Sequence, residues 1–274
     1  MHRSFRIVCR ARKVVIVVTD PGFDIVPTYD PMGFSYGPGT FGPVPELRTL
    51  DAIRPSLKDP DCDGPEVVYA IAMDVGRRQD LPAMIERDLL YGVVTYSKGL
   101  LGTEPVRSQG HIHATSPSCG ASTCEVYEIW SGAAYIYMQE SAKDDPGRCY
   151  AVYAQPGQVV IVPPGWAHAT IVGDVTQNLT FGAWCVRDYG FDYDDVRAHN
   201  GIAWFPQADH GKTTWVANDA YRPSELVVCG PRAYTDFGLA QGVPIYQQFV
   251  DDPDLFLFVS KPDVAKALWE GFEP

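Results

Sequence analysis

The sequence predicts an all-β protein, folded as an antiparallel sandwich or barrel. Two observations carry this reading. Between about residues 66 and 186, the runs EVVYAIAM, LLYGVVTYS, CEVYEIWSG, AAYIYMQE, RCYAVYAQ, QVVIVPP and NLTFGAWCV follow one another, separated by turn residues such as SKG, KDDPG, PPG and GD. Short β-branched and aromatic runs at this spacing pair into sheets that pack face to face or close on themselves. The second observation is bulk: 274 residues with 46% apolar content can bury a sizeable core, as one large domain or a domain with an appendage.

The elements follow in order. Residues 1–18 have a basic start and an apolar end, but the uninterrupted apolar run is only Val14 to Val18. That is too short for a secretory signal core, and TDPG ends it without a small-residue cleavage site, so a cytoplasmic location is expected. The stretch 19–42 is rich in Gly, Pro and aromatic residues and predicts an irregular arm lying on the rest of the molecule. Residues 45–60 and 79–88 are the plausible short helices before mid-chain. After about residue 200, ELVVCG predicts one strand and PDVAKALWEGF a helical ending. The expected organisation is a lead-in at 1–65, a barrel at 66–200 and an elaboration of the same domain at 201–274.

A formal net charge of −12 argues against nucleic-acid or anionic-membrane partners, because an acidic surface repels phosphate backbones. An anionic substrate therefore needs a local positive centre. The seven cysteines are odd in number and hold no C-x-x-C pair, which favours a reducing compartment. Cys119 and Cys124 are read as free thiols rather than a redox pair. No apolar run approaches the ~20 residues that a membrane span needs.

Three of the six histidines fall in two short windows, His111 and His113 in GHIH and His168 in PPGWAH. On a strand, period-two alternation points His111 and His113 the same way. In CEVYEIW it puts Glu125, Tyr127 and Ile129 on one face and Val126, Glu128 and Trp130 on the other. Three neutral imidazoles and one carboxylate make a mixed N/O site with room for further ligands, suited to Fe(II), Mn(II), Co(II), Ni(II) or Zn(II).

The surrounding spacing resembles the two cupin motifs. His111, His113, Glu125 and Gly132 fit the first, with Pro105 where its leading glycine would stand. Gly157, Pro163, Gly165 and His168 fit the second, with Val172 at its closing position. The resemblance implies a cupin barrel (double-stranded β-helix, or jelly roll) with an N-terminal arm and a C-terminal elaboration. Within cupins, DLLYGVVTYSKGLLGTEPVRSQGHIHA, EVYEIWSG, PGQVVIVPPGWAHATIVGD and RDYG are similar to the archaeal-type glucose-6-phosphate isomerases.

That family implies His111, His113, Glu125 and His168 as ligands to one divalent ion, and Glu125 and Tyr127 as catalytic groups. It implies Tyr69, Ser108, Gly110, Arg187 and Tyr189 around the substrate. It further implies a cytoplasmic homodimer acting on a sugar phosphate in glycolysis and gluconeogenesis. Three departures stand out. The spacer from His113 to Glu125 is several residues longer than the family's and should bulge over the pocket rim. A family threonine used for phosphate falls on Val94, unless Thr95 takes its place through a shift. Where the family has His-Asp-Tyr-Gly this chain has Arg187, Asp188, Tyr189 and Gly190, which makes Arg187 the expected phosphate-binding cation. The competing reading is an Fe(II)-dependent cupin oxygenase, or an isomerase of another small oxygenated metabolite, because fold does not fix function.

Overall fold

The computed structural model describes residues 19–274; the basic start and apolar end at 1–18 lie outside the described residues. Two sheets form the body, as the spacing of the short runs requires. One has six strands in the order Val159–Val162, Glu125–Ser131, Leu179–Val186, Leu89–Tyr96, Val67–Ala72 and Glu46–Thr49. The other has four, in the order Ala167–Val172, Ala134–Gln139, Cys149–Ala154 and Leu226–Cys229, the last pair parallel. This is the cupin barrel. Both flanks are built into it: Glu46–Thr49 comes from the expected lead-in and Leu226–Cys229 from the expected elaboration.

Alternation along the strands divides two cores. Tyr127, Ile129, Val94, Tyr96, Phe181, Ile136 and Met138 fill the lumen between the sheets. Val126, Trp130, Tyr91, Val93 and Trp184 point the other way, under a cap that includes Tyr246, Phe249, Phe256 and Phe258 from the C-terminal helices. The six-stranded sheet is thus covered on both faces. That is why Glu125–Ser131 and Leu179–Val186 are buried along their whole length. Gly132 ends the first of these strands at φ +75°, and a Cβ there would sit 2.6 Å from the Asn178 carbonyl oxygen, so the turn takes only glycine.

Three expectations are corrected. The 19–42 arm contains a regular hairpin, Ile25–Tyr29 paired with Met32–Tyr36; Ile25, Phe34 and Tyr36 pack on the outer aromatic core, which supplies the burial the isolated sequence lacks. The expected helix at 45–60 begins as the strand Glu46–Thr49 and becomes helical only at Leu50–Ile53, followed by a 3-10 turn at Arg54–Ser56. The elaboration also holds a second hairpin, Trp204–Asp209 with Lys212–Ala217. His210 and Gly211 both adopt positive φ at its tip, the backbone of a tight two-residue hairpin turn. The helix at Leu81–Glu86, the Leu226–Cys229 strand and a helical ending at Pro262–Trp269 lie where expected. Among the described residues, no helix is long and apolar enough to cross a membrane.

Candidate active site

The two histidine windows are joined through the main chain. The His111 amide donates to the His168 carbonyl at 3.0 Å and the His168 amide donates back to the His111 carbonyl at 2.9 Å. Next along the chain, Ile112–His113 pairs with Phe191–Asp192. With the backbone so fixed, the rings of His111 and His168 lie 4.3 Å apart and those of His113 and His168 5.0 Å apart. Glu125 enters from the facing sheet at the start of its strand. Its Oε2 is 3.3 Å from both His113 Nε2 and His168 Nε2. One ligand atom from each of His111, His113, Glu125 and His168 falls within 4.8 Å of all the others.

The donor set fits a metal ion. His113 Nδ1 donates to the Thr123 carbonyl at 3.0 Å and His168 Nδ1 to the Trp166 carbonyl at 3.1 Å, which turns each Nε2 toward the centre. The Nε2 atoms of His111 and His113 are buried without a hydrogen-bond partner. Burial, then the neighbouring His168 and His113, hold His111 well below the ordinary imidazole pKa. Burial pushes the Glu125 carboxyl up, but the adjacent His113 and His168 outweigh it and hold the group well below the carboxylate range. A neutral imidazole and an ionised carboxylate are the forms a divalent ion binds.

The long spacer has a structural task. Ser116 Oγ donates to Asp188 at 2.6 Å and the Ser118 amide donates to the same carboxylate at 2.8 Å, anchoring the loop beside the rim. Ser122 Oγ donates to the His113 carbonyl and accepts from the Gly165 amide, tying the first motif to the turn of the second. The loop also supplies the Thr123 carbonyl that orients His113. Cys119 and Cys124 are both free, Cys119 in the loop and Cys124 buried with Sγ near the Phe258 carbonyl.

The lumen beside the four ligands is lined by Tyr69, Val94, Tyr96, Ser108, Tyr127, Thr170, Phe181, Phe191 and Tyr193, among others. Tyr127 donates to Glu125 Oε2 at 2.6 Å. Burial and the adjacent Glu125 charge raise its pKa well above the usual phenol value, so it stays protonated. Ser108 Oγ accepts from the Thr170 amide at 3.0 Å, which fixes the hydroxyl in the lining. Gly110 adopts φ +92°, and a Cβ there would meet Ile202 Cγ2 at 2.9 Å. Val94 stands in the lining, whereas Thr95 faces away and bonds Thr180 Oγ1 at 2.9 Å, so no register shift restores a hydroxyl. Glu128 points to the outer core, as alternation requires. It is 1% exposed, its Oε2 has no partner, and burial pushes its pKa up to about 7.

Arg187 is placed otherwise than the resemblance implies. Its guanidinium forks onto Asp74 at 2.6 and 2.8 Å and bonds the Leu89 carbonyl, so its donors are spent on the scaffold. Tyr189 is 39% exposed on the rim, 5.3 Å from the Phe191 ring, and is not part of the lining. Phe191, Tyr193, Thr170 and Phe181 line the pocket although sequence reasoning did not single them out; the alternation of Phe191 and Tyr193 just after RDYG was the available signal.

Residues 52–224, more than half of the chain, match the model of the family described as Glucose-6-phosphate isomerase (GPI). The chain is similar to the glucose-6-phosphate isomerase of Thermococcus litoralis, 29% identical over 138 residues that cover 50% of this chain and 66% of the relative. It is also similar to those of Pyrococcus furiosus (29%, covering 50% and 67%) and Thermococcus onnurineus (32%, covering 40% and 53%). The aligned region spans about two thirds or less of these relatives' length. Among solved structures, hazelnut (Corylus avellana) vicilin shares 12% identity at a TM-score of 0.34, covering 48% of this chain and 33% of its own. Bacillus subtilis oxalate decarboxylase shares 15% at 0.30, covering 46% and 25%. Because the family match runs through most of the barrel and takes in all four converging ligand residues, this chain belongs to the glucose-6-phosphate isomerase (GPI) family.

Proposed function

We propose that the protein interconverts glucose 6-phosphate and fructose 6-phosphate, moving a proton between C1 and C2 of the open-chain sugar through an enediol, with a divalent ion held by His111, His113, Glu125 and His168. The observation that carries this reading is the pairing of those four ligands with a protonated Tyr127, 2.6 Å from Glu125, in one lumen. When bound, the ion supplies positive charge to the C1 and C2 oxygens as they take on enediolate character.

The chain's own groups do the rest. Glu125, ionised and in the lining, is the group to carry the proton from one carbon to its neighbour. Tyr127 keeps its proton and can donate to O1 or O2 as charge develops there. Ser108 presents its hydroxyl from the same wall and Tyr69 its phenol. Gly110 lets the backbone turn just before the first ligand, and Tyr189 stands at the entrance. The lumen is narrow beside the ligands, with a cavity volume of ≈ 50 Å³, and is partly open to solvent. Phe191 and Tyr193 stand in the same lining, where their apolar rings restrict solvent around the reacting carbons.

Family membership also supports a cytoplasmic homodimer serving glycolysis and gluconeogenesis. The deciding experiment is anaerobic incubation of metal-loaded protein with fructose 6-phosphate, followed by enzymatic detection of glucose 6-phosphate. Product formed without O2 supports the isomerase, and turnover that requires O2 replaces it with an oxygenase.

A further inference from the structure

The strand Glu46–Thr49 precedes the region that matches the family, which begins at residue 52, and it brings a cation to the pocket. Arg48 lies directly opposite Tyr69, and Tyr69 directly opposite Tyr96. Directly paired residues share a face of a sheet. Tyr69 and Tyr96 face the lumen, so Arg48 is the outermost member of a row that runs from the pocket interior to its mouth. Its side chain is 23% exposed. Its charge acts on the phenols of Tyr69 and Tyr193 and reaches His111.

Other arginines near the pocket are committed elsewhere. Arg187 is forked onto Asp74, Arg107 is buried on Glu104, and Arg197 donates twice to Gln109. Arg48 has Glu46 as its hydrogen-bonded partner, an exposed carboxylate two residues away on the same strand face. Water competes for such a pair, so it is readily exchanged for a better anion.

We propose that Arg48 binds the phosphate group of the substrate at the pocket mouth, with the phenols of Tyr69 and Tyr193 as further donors, and so takes over from the hydroxyl that Val94 lacks. A guanidinium meets phosphate bidentately, which a single threonine hydroxyl cannot do. The identity of the phosphorylated ligand rests on the isomerase reading; the anion site itself does not. Glu46 then acts as a competitor for the guanidinium, and its neighbourhood sets a ceiling on phosphate affinity.

The test titrates inorganic phosphate into the metal-loaded protein at constant ionic strength by calorimetry, alongside KM for fructose 6-phosphate. Arg48→Ala should weaken phosphate binding and raise KM roughly ten- to a hundredfold at unchanged metal content. Arg48→Lys should recover part of the loss, and Glu46→Gln should tighten binding severalfold, a sign that a merely structural role would not produce. Equal phosphate affinity and KM in wild type and Arg48→Ala overturn the proposal, as does absence of phosphate binding by the wild type. Arg48-dependent phosphate binding without isomerisation of fructose 6-phosphate upholds the site and overturns the isomerase reading instead.

Discussion

Glu128 makes a stability prediction that separates the scaffold from the chemistry. Its carboxyl is 1% exposed beneath the C-terminal cap, with one oxygen unpartnered and a pKa moved from an ordinary 4.5 to about 7. Burial in the aromatic outer core causes the rise; the Ile245 amide and the Trp130 indole offset only part of it. The folded protein therefore binds this proton more tightly than the unfolded chain. The stabilisation is complete below about pH 4.5, declines as pH rises toward 7, and is gone above it, where folding requires a buried charge. A shift of about 2.5 units corresponds to ~3 kcal/mol at most. Glu128→Gln removes the titration and keeps the shape. Urea unfolding at pH 5 and pH 8.5 should show the variant close to wild type at the lower value and more stable at the higher by up to ~3 kcal/mol, roughly 6–12 °C in Tm. Parallel pH profiles for the two proteins would refute the argument.

Four further outcomes are expected. Tyr127→Phe, which deletes a hydrogen bond to an ionised carboxylate of ~1.5–3 kcal/mol, should lower kcat for fructose 6-phosphate roughly ten- to a hundredfold while metal content by elemental analysis stays at wild-type level. His111→Ala should lose most bound metal, whereas chelation of the wild type, whose ligand set is intact, should lower its Tm in a way that adding divalent ion reverses. Gly110→Ala, forced to keep φ +92° and to press on Ile202, should cost ~1–3 kcal/mol in denaturant unfolding. Light scattering at micromolar concentration should return about twice the 30.2 kDa chain mass, and a mass near 30.2 kDa would remove the dimer.

The three histidines could be read from two short windows of the chain, and the resemblance to the cupin motifs added Glu125 to them. Alternation aims His111 and His113 together, the PPG turn delivers His168 at the head of a strand, and the 3.3 Å approaches of Glu125 follow once the sheets face each other. The split between Glu125 and Glu128 was legible from the same alternation. Arg48 was not, because its place depends on pairing with Tyr69 across a non-local register, and ELRT is too short and polar to announce a strand. Arg187 shows the converse. A sequence neighbour of the pocket turned its fork to Asp74, a partner 113 residues away that no local pattern could indicate. The 25–36 hairpin was hidden because its strands gain their apolar contacts from the cap, and Pro27, Pro31 and Gly33 interrupt the strand pattern.

The reciprocal amide bonds between His111 and His168 place the two halves of the centre in register before any side chain is considered. Ligand identity and ligand position are thereby separate variables. A substitution at either of these two corners alters hardness, charge and open coordination positions, while the main-chain pair still joins the two strands there. One scaffold can then be re-lettered toward a different ion or a different reaction through single steps that each leave a folded protein, and selection needs no intermediate that has lost its frame.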